Sequence, residues 1–378
     1  MNRSAHKVQI ARDLYYLESG GTAEEIGLVY GAAFRPDLAE AVRRSDELLS
    51  HRFDASDVRR AIDEMGRSFR SNFPYLWAEL EAVSTGAAIP LEGLERHVFS
   101  AGVGAFKQEE SGCSDVVYPG SDVGPLLGKT HDATIPGPGV AVVRLIRHTS
   151  KNTILCAVRV DGFSVMTGLN DKGLAIGEAS IHFHSSNKSG TVRTLLLRPL
   201  LHECNNVREA IDFLAAHPPL TAGFHFALVD ESGNAAIVER SPVDQNVRRS
   251  EGEAIFCTNH AATPAVRALE KSRGPEGDRN SDTRYQNLQK LTTAPSFHFS
   301  LDSMKEILRF HDSVGGICQH GDPGYKGEKR EFYPMITQRA FINMVSSRKL
   351  LVANGQPCQN EFLEFKLYPD EASSNEAH

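Results

Sequence analysis

Helical periodicity dominates the first hundred residues of this chain. One apolar stripe repeats at i, i+4, i+7 and i+11 and consists of Val58, Ile62, Met65 and Phe69. Such spacing predicts an amphipathic helix, with Ser56 or Asp57 as its cap. A second helix is predicted from Leu76, Leu80 and Val83. We expect Gly86 to end that second helix.

The pattern changes after a stretch that is glycine-rich and then polar, "AGVGAFKQEESG" at 101–112, which predicts a linker. Beyond it, β-branched runs separated by turn sequences predict antiparallel strands at 140–146, 152–160, 164–184, 223–239 and 254–259. Helices are predicted at 191–216, 262–272, 282–292 and 301–312, the last with Ser300 as its cap. A final hairpin is predicted at 336–355.

Two blocks of strands and two blocks of helices predict an α+β architecture, with sheets packed on each other and helices outside. We divide the chain into a mainly helical segment, 1–112, and a segment of mixed strands and helices, 113–368. The polar tail 369–378 is predicted to be disordered.

Composition narrows the function classes. The 378 residues carry a formal charge of -7 without long blocks of either sign, which argues against a nucleic-acid partner. No run of about 18 apolar residues occurs and the start has no apolar signal region, so we expect no membrane span and a cytoplasmic location. Six cysteines without a CxxC pair predict reduced thiols, with neither a disulfide framework nor a zinc site.

The strongest candidate chemistry lies in "GCSDVVYPGSDVGPLLGKTHD", residues 112–132. Read as a hairpin centred near Ser121, it places Lys129 opposite Cys113, with Asp132 just past the strand end. A neighbouring cation favours the thiolate of cysteine. If the bond between Gly112 and Cys113 were cut, Cys113 would also carry an α-amino group able to act as its own base.

Nine motifs in one order carry a resemblance that spans about residues 25–368. They are "FPYLWAELEAVSTGAAIPLEGL", "GCSD", "GKTHD", "GLNDKGLAI", "ALVDESGNAAIVERSP", "CTNH", "TRYQNL", "GICQHGD" and "ANGQPC". With them the chain resembles the acyl-coenzyme A:6-aminopenicillanic acid acyltransferase family. This family is also classed as the C45 self-processing peptidases, within the N-terminal-nucleophile (Ntn) hydrolase superfamily.

The resemblance implies a four-layer αββα sandwich and a set of site residues. Cys113 would be the nucleophile, freed by self-cleavage after Gly112, and Asp132 would orient its α-amino group. Asn259 would help to form the oxyanion hole, and Arg284 matches an active-site arginine of the family. Lys129 falls where the related bile salt hydrolases have arginine. The fragments 1–112 and 113–378 would stay associated.

This sequence departs from the family around the chemistry. Thr130 and His131 replace an asparagine and an aromatic residue, Thr283 replaces a serine before Arg284, and Ser180 stands near a second oxyanion asparagine of bile salt hydrolases. These differences put the substrate in question. The residues predicted to bind substrate are His182, His184, Ser180 and Thr283.

We therefore expect an amidohydrolase that cleaves a linear, small-molecule N-acyl amide through an acyl-Cys113 intermediate, without cofactor or metal. The alternatives are an acyltransferase that moves an acyl group from a thioester or amide to an amine, and a scaffold protein that never matures. Two further hypotheses have less support from the sequence. One is a papain-type catalytic pair of Cys318 and His320. The other is a metal site formed by His182, His184 and His225. No glycine motif fits nucleotide binding. The sequence leaves a homo-oligomer open.

Overall fold

The computed structural model describes residues 6–52, 54–104, 111–134, 139–184, 190–219, 223–321 and 335–368. The tail predicted to be disordered, 369–378, lies outside these residues, as does part of the predicted linker, 105–110.

Fifteen strands within the described residues form two sheets. In spatial order the large sheet contains β1 (His6–Ala11), β2 (Leu14–Gly21), β5 (Ala141–His148), β6 (Ile154–Arg159), β7 (Val165–Asn170), β8 (Leu174–Ile181), β9 (Gly223–Asp230), β10 (Ala235–Arg240) and β11 (Gln245–Arg249). The small sheet contains β12 (Ile255–Cys257), β3 (Ser111–Tyr118), β4 (Leu126–Thr134), β13 (Met335–Met344), β14 (Lys349–Asn354) and β15 (Leu363–Lys366). Neighbouring strands are antiparallel except for β2 and β5, which are parallel.

The helices of the described residues are α1 (Ala23–Ala33), α2 (Arg35–Arg52), α3 (Ala55–Asn72), α4 (Pro74–Ala87), α5 (Leu91–Gly104), α6 (Leu197–Glu203), α7 (Val207–Ala216), α8 (Pro264–Arg267), α9 (Pro275–Thr292) and α10 (Leu301–Leu308). A short 3-10 helix, Arg193–Leu195, precedes α6. None of the helices in this part of the chain combines the length and the apolar composition that crossing a lipid bilayer requires.

Three apolar clusters separate four layers. Helices α1–α7 pack on the outer face of the large sheet. The inner faces of the two sheets meet through side chains such as Val117 and Leu127 from the small sheet and Val143 and Leu155 from the large one. Helices α9 and α10 cover the other face of the small sheet through residues such as Leu288 and Met304. The αββα sandwich implied by the resemblance is therefore confirmed.

The helix predictions hold in position but not at every end. The stripe predicted for α3 is buried, yet the cap is Asp54, whose Oδ1 accepts a hydrogen bond from the Ser56 backbone nitrogen at 2.8 Å. Gly86 does not end α4, which continues to Ala87. A Cβ on Gly86 would lie 2.4 Å from the Leu28 carbonyl oxygen, so glycine at this position permits the close approach of α1.

Two strands near the start of the chain were not predicted. β1 and β2 pair with each other, and β2 continues the large sheet by pairing with β5 over eight residues. The first 112 residues therefore share both a sheet and an apolar core with the rest of the chain.

A buried ion cluster joins the helical layer to the large sheet. The Glu79 carboxylate of α4 receives Arg144 from β5, at 3.3 Å, and Arg198 from α6. All three side chains are fully buried. Both guanidinium groups also donate to the Gly162 carbonyl oxygen. Glu79 is thus the carboxylate that balances two buried cations.

We predict that Glu79→Gln destabilises the protein by about 3–5 kcal/mol, because it leaves two buried guanidinium groups without their anion. Urea denaturation followed by circular dichroism measures this change. The matched control is Glu64→Gln on exposed α3 surface, which we expect to change stability by less than about 0.5 kcal/mol. Equal stability of the two variants would contradict the role given to Glu79.

Candidate active site

The hairpin β3–β4 has a different register from the predicted one. Cys113 lies opposite His131, and Lys129 lies opposite Asp115. The turn is centred on Asp122, one residue later than expected, and this moves every cross-strand partner by two. Because side chains alternate between faces with a period of two, Lys129 nevertheless shares a face of the sheet with Cys113.

This face of the hairpin points between the two sheets. The Cys113 Sγ lies 3.8 Å from Nδ1 of His131. The Lys129 ammonium is fully buried and lies 3.7 Å from both Asp115 Oδ1 and Glu178 Oε1. It also donates to the Glu178 backbone carbonyl. One carboxylate comes from each sheet, so the lysine bridges the two inner layers.

Burial controls the ionisation of this group. It raises the pKa of Cys113 to about 12, and the Lys129 charge is the largest effect in the opposite direction. It also raises the pKa of Asp115 to about 7. Burial alone would lower the pKa of Lys129, but the nearby acidic groups raise it above its ordinary value. The pKa of His131 is held well below its ordinary value by burial, so its imidazole is neutral at pH 7.

The opposite face of β3 meets helix α9. The fully buried Arg284 side chain donates to the backbone carbonyl of Cys113 and, at 2.9 Å, to the Ser114 hydroxyl. It also donates at 2.7 Å to Oδ1 of Asn259 and at 2.9 Å to Oδ1 of Asn280. Arg284 therefore holds the backbone of Cys113 from the face of β3 opposite the thiol.

Asn259 follows β12 and lies against the backbone nitrogen of Cys113. Its Oδ1 accepts a hydrogen bond from that nitrogen at 3.0 Å. Its Nδ2 donates to the Ser180 carbonyl at 3.0 Å and lies 3.3 Å from the Ser180 hydroxyl. Because both partners of Oδ1 are donors, the amide orientation follows from the network.

Asp132 lies directly opposite Gly112 on the neighbouring strand. Its carboxylate accepts hydrogen bonds from the Thr337 hydroxyl at 2.7 Å and from the Gln319 amide at 3.1 Å. Burial raises its pKa, an effect that the nearby Arg284 partly offsets. The carboxylate is thus fixed beside the bond that joins Gly112 to Cys113.

Gly112 packs closely against two side chains and has an ordinary backbone angle. Its φ is not positive. A Cβ on Gly112 would lie 3.0 Å from the Met335 methyl and 3.3 Å from the Asp132 side chain.

The residues predicted to bind substrate do not form one group. Ser180 contacts Asn259, whereas Thr283 packs against Gly315 in the segment after α10. His182 and His184 follow the end of β8, which is Ile181, and do not lie on that strand. His182 is buried and His184 is exposed.

The third histidine of the predicted metal site is His225. It is buried, and its Nε2 is hydrogen-bonded to the backbone carbonyl of His260 at 2.9 Å. The three histidines considered as a metal site are in no cluster of potential ligands among the described residues. Cys113, His131 and Glu178 do form such a cluster, but the buried Lys129 ammonium among them opposes the binding of a cation.

Several residues of this site were not singled out from the sequence as functional. His131 was noted only as a departure from the family, although its alternation with Lys129 on one strand indicates a shared face. No local sequence pattern singles out Asp115, Glu178, Gln319 or Thr337 as functional.

A pocket of about 510 Å³ lies next to the candidate active site, and its lining includes Asn280, Gln319 and Met335.

A family match covers part of the chain. The model of the acyl-coenzyme A:6-aminopenicillanic acid acyl-transferase family matches residues 142–329, about half of the chain. The match begins after the β3–β4 hairpin. A search of curated protein sequences found no significant match.

Solved structures also resemble this chain. A mutant conjugated bile acid hydrolase from Clostridium perfringens is 14% identical, with 68% of this chain and 97% of that chain covered and a TM-score of 0.42. Penicillin V acylase from Agrobacterium tumefaciens is 15% identical, with 67% and 86% covered and a TM-score of 0.40. The Caenorhabditis elegans ortholog of N-acylethanolamine-hydrolyzing acid amidase is 13% identical, with 61% and 92% covered and a TM-score of 0.41.

We predict that Lys129→Met slows the reaction of Cys113 with iodoacetamide at pH 9 by at least about tenfold, because a buried cation that favours the thiolate is lost. The alkylation rate of the Cys113 peptide at pH 9, followed by mass spectrometry, measures this change. At that pH only a small fraction of a thiol with a pKa of about 12 is ionised, so the rate follows the thiolate fraction. Lys129→Arg keeps the charge and is the matched control. An unchanged rate in Lys129→Met would show that the lysine does not act on this thiol.

Proposed function

Because the chain belongs to the acyl-coenzyme A:6-aminopenicillanic acid acyltransferase family of the Ntn hydrolase superfamily, we propose that it is a self-processing amidohydrolase. Its substrate class would be linear N-acyl amides, cleaved through an acyl-Cys113 intermediate. One observation carries this proposal: the thiol, the nitrogen and the carbonyl of Cys113 contact His131, Asn259 and Arg284, respectively.

Self-cleavage would begin with the Cys113 thiol. Its sulfur attacks the Gly112 carbonyl carbon, the bond from that carbon to the Cys113 nitrogen breaks, and a thioester forms. The uncleaved chain has no α-amino group at Cys113, so another group must accept the thiol proton. His131 is neutral and its Nδ1 lies 3.8 Å from the sulfur, so we assign it this role. The proton then passes to the leaving nitrogen, and water opens the thioester to give the Gly112 carboxylate.

The released α-amino group would become the base of the mature enzyme. An α-amine has a pKa of about 7.7–8.0 and can accept the thiol proton near neutral pH. Asn259 Oδ1 already contacts this nitrogen, and Asp132 lies beside it on the next strand. The predicted oxyanion role of Asn259 would use the Nδ2 hydrogen that is not donated to the Ser180 carbonyl.

Lys129 would act on the sulfur through its charge rather than by contact with the substrate. Its ammonium favours the thiolate during attack, while Asp115 and Glu178 hold it in place.

The two fragments would stay together after cleavage. The fragment 1–112 supplies β1, β2 and five helices, and its Glu79 binds Arg144 and Arg198 from the other fragment. Separation would expose this ion cluster and a large apolar core.

The acyl acceptor distinguishes this proposal from its alternatives. Water as acceptor makes the protein a hydrolase, whereas an amine as acceptor makes it an acyltransferase, with a thioester or an amide as donor. A chain that never matures would be a scaffold of the same fold. A cytoplasmic location remains part of the proposal.

We predict that the wild type matures into fragments of about 12 and 29 kDa, the division of 41.5 kDa in the ratio 112 to 266. Denaturing electrophoresis and N-terminal sequencing should find Cys113 at the start of the larger fragment. Cys113→Ala should remain one chain, because it lacks the attacking sulfur. A wild type that stays intact and hydrolyses no N-acyl amide would refute the proposed function.

We further predict that His131→Gln slows self-cleavage by about 10²–10⁴-fold, the usual contribution of a general base. The measurement is the rate of fragment appearance after synthesis in a cell-free system. Once matured, this variant should lose much less N-acyl amide turnover, because the α-amino group then serves as base. His97→Gln, in the helical layer, is the control and should cleave at the wild-type rate. Cleavage of His131→Gln at that same rate would remove His131 from the mechanism.

A further inference from the structure

A second group of reactive side chains lies outside the site around Cys113. Four potential ligand atoms, from His311, Cys318, His320 and Cys358, all lie within 4.8 Å of one another. The residues come from three segments: the loop after α10, the segment that leads to β13, and the turn after β14. Their wide separation in sequence explains why no ligand motif was evident.

Four of the six distances among these atoms lie within about 0.4 Å of the edges of a tetrahedral zinc site. The two sulfurs are 3.6 Å apart and the Nε2 atoms of His311 and His320 are 3.1 Å apart. Nε2 of His320 lies 3.5 Å from the Cys318 sulfur and 3.2 Å from the Cys358 sulfur. Zinc bound at about 2.3 Å to sulfur and about 2.0–2.1 Å to nitrogen requires edges of about 3.8 Å for S···S, about 3.4 Å for N···N and about 3.6 Å for S···N.

We propose that His311, Cys318, His320 and Cys358 bind one structural zinc ion. Two thiolates and two imidazoles form a donor set that zinc prefers, and four protein ligands leave no open coordination position for catalysis. His311 and His320 are exposed, which provides a path for the ion to enter. A papain-type pairing of Cys318 with His320 explains fewer of these contacts, because it gives no role to His311 and Cys358.

The zinc site would also position a residue of the candidate active site. Gln319 lies between the ligands Cys318 and His320, and its amide donates to Asp132 at 3.1 Å. Its backbone pairs with Thr337, the other donor to Asp132. Fixing both neighbours of Gln319 to one metal ion holds this amide on the Asp132 carboxylate. Gln319 is thereby a positioning residue that connects the metal site to the Gly112–Cys113 bond.

The first experiment measures zinc alone. The uncleaved Cys113→Ala chain is purified, dialysed against zinc and analysed for metal content, so that the result does not depend on self-cleavage. We expect about one zinc per chain. His311→Gln should weaken zinc binding by at least about 100-fold, since replacing even a group that hydrogen-bonds to a ligand typically costs about 10–100-fold. His298→Gln, another exposed histidine, is the matched control and should bind zinc as the parent chain does.

The second experiment identifies the ligands with cobalt(II) alone. We expect the strong visible absorption of a tetrahedral cobalt thiolate site, which Cys318→Ser and Cys358→Ser should each remove. Cys204→Ala, a buried cysteine outside the cluster, should retain the absorption. His311→Gln changes an exposed residue, so the test remains decisive if a cysteine variant fails to fold.

Zinc should also slow amide hydrogen exchange of the segment around Gln319, measured by mass spectrometry with and without the metal. Absence of zinc uptake above that of His311→Gln, or a disulfide between Cys318 and Cys358 in the chain dialysed against zinc, would overturn the proposed site. Unchanged exchange at Gln319 on zinc binding would overturn its positioning role.

Discussion

The burial of the Lys129 ammonium between the two sheets is the constraint on which the rest of this site depends. A charged group in this position is stable only if anions are buried with it. Asp115 from the small sheet and Glu178 from the large sheet supply them, each 3.7 Å from the ammonium. The lysine therefore links the two sheets and also contributes the positive charge that acts on Cys113.

The two faces of strand β3 contribute different parts of the proposed chemistry. The inner face carries the thiol toward His131 and Lys129, while the backbone is held from the other side by Arg284. A strand can separate these tasks because successive side chains point to opposite faces. Asn259 reaches the backbone nitrogen from the neighbouring edge strand β12. The attacking atom and the bond that it would cleave are thus fixed by separate contacts.

Much of the architecture was predictable because it follows from local patterns. The stripe from Val58 to Phe69, the Ser300 cap and most runs of β-branched residues correspond to observed elements. The family motifs selected Asp132, Asn259 and Arg284, which lie around Cys113 in the structure. The first two strands were missed since their role is to extend the large sheet, which is a long-range pairing. The hairpin register was misplaced by two because a single residue in the turn decides it.

The sequence by itself determined the four-layer class, the position of the hairpin and the identity of its thiol, because periodicity and motif order are local properties. Only the tertiary structure decided which charges surround that thiol. Glu178 and Lys129 are 49 residues apart, and Gln319 and Asp132 are 187 apart. The same holds for Cys318 and Cys358, which are 40 residues apart in the sequence and whose sulfur atoms lie 3.6 Å apart. Burial sets the ionisation of the groups around the thiol, and the proximity of side chains that are distant in sequence sets the geometry of the ligands. Neither burial nor this proximity is encoded in any one segment.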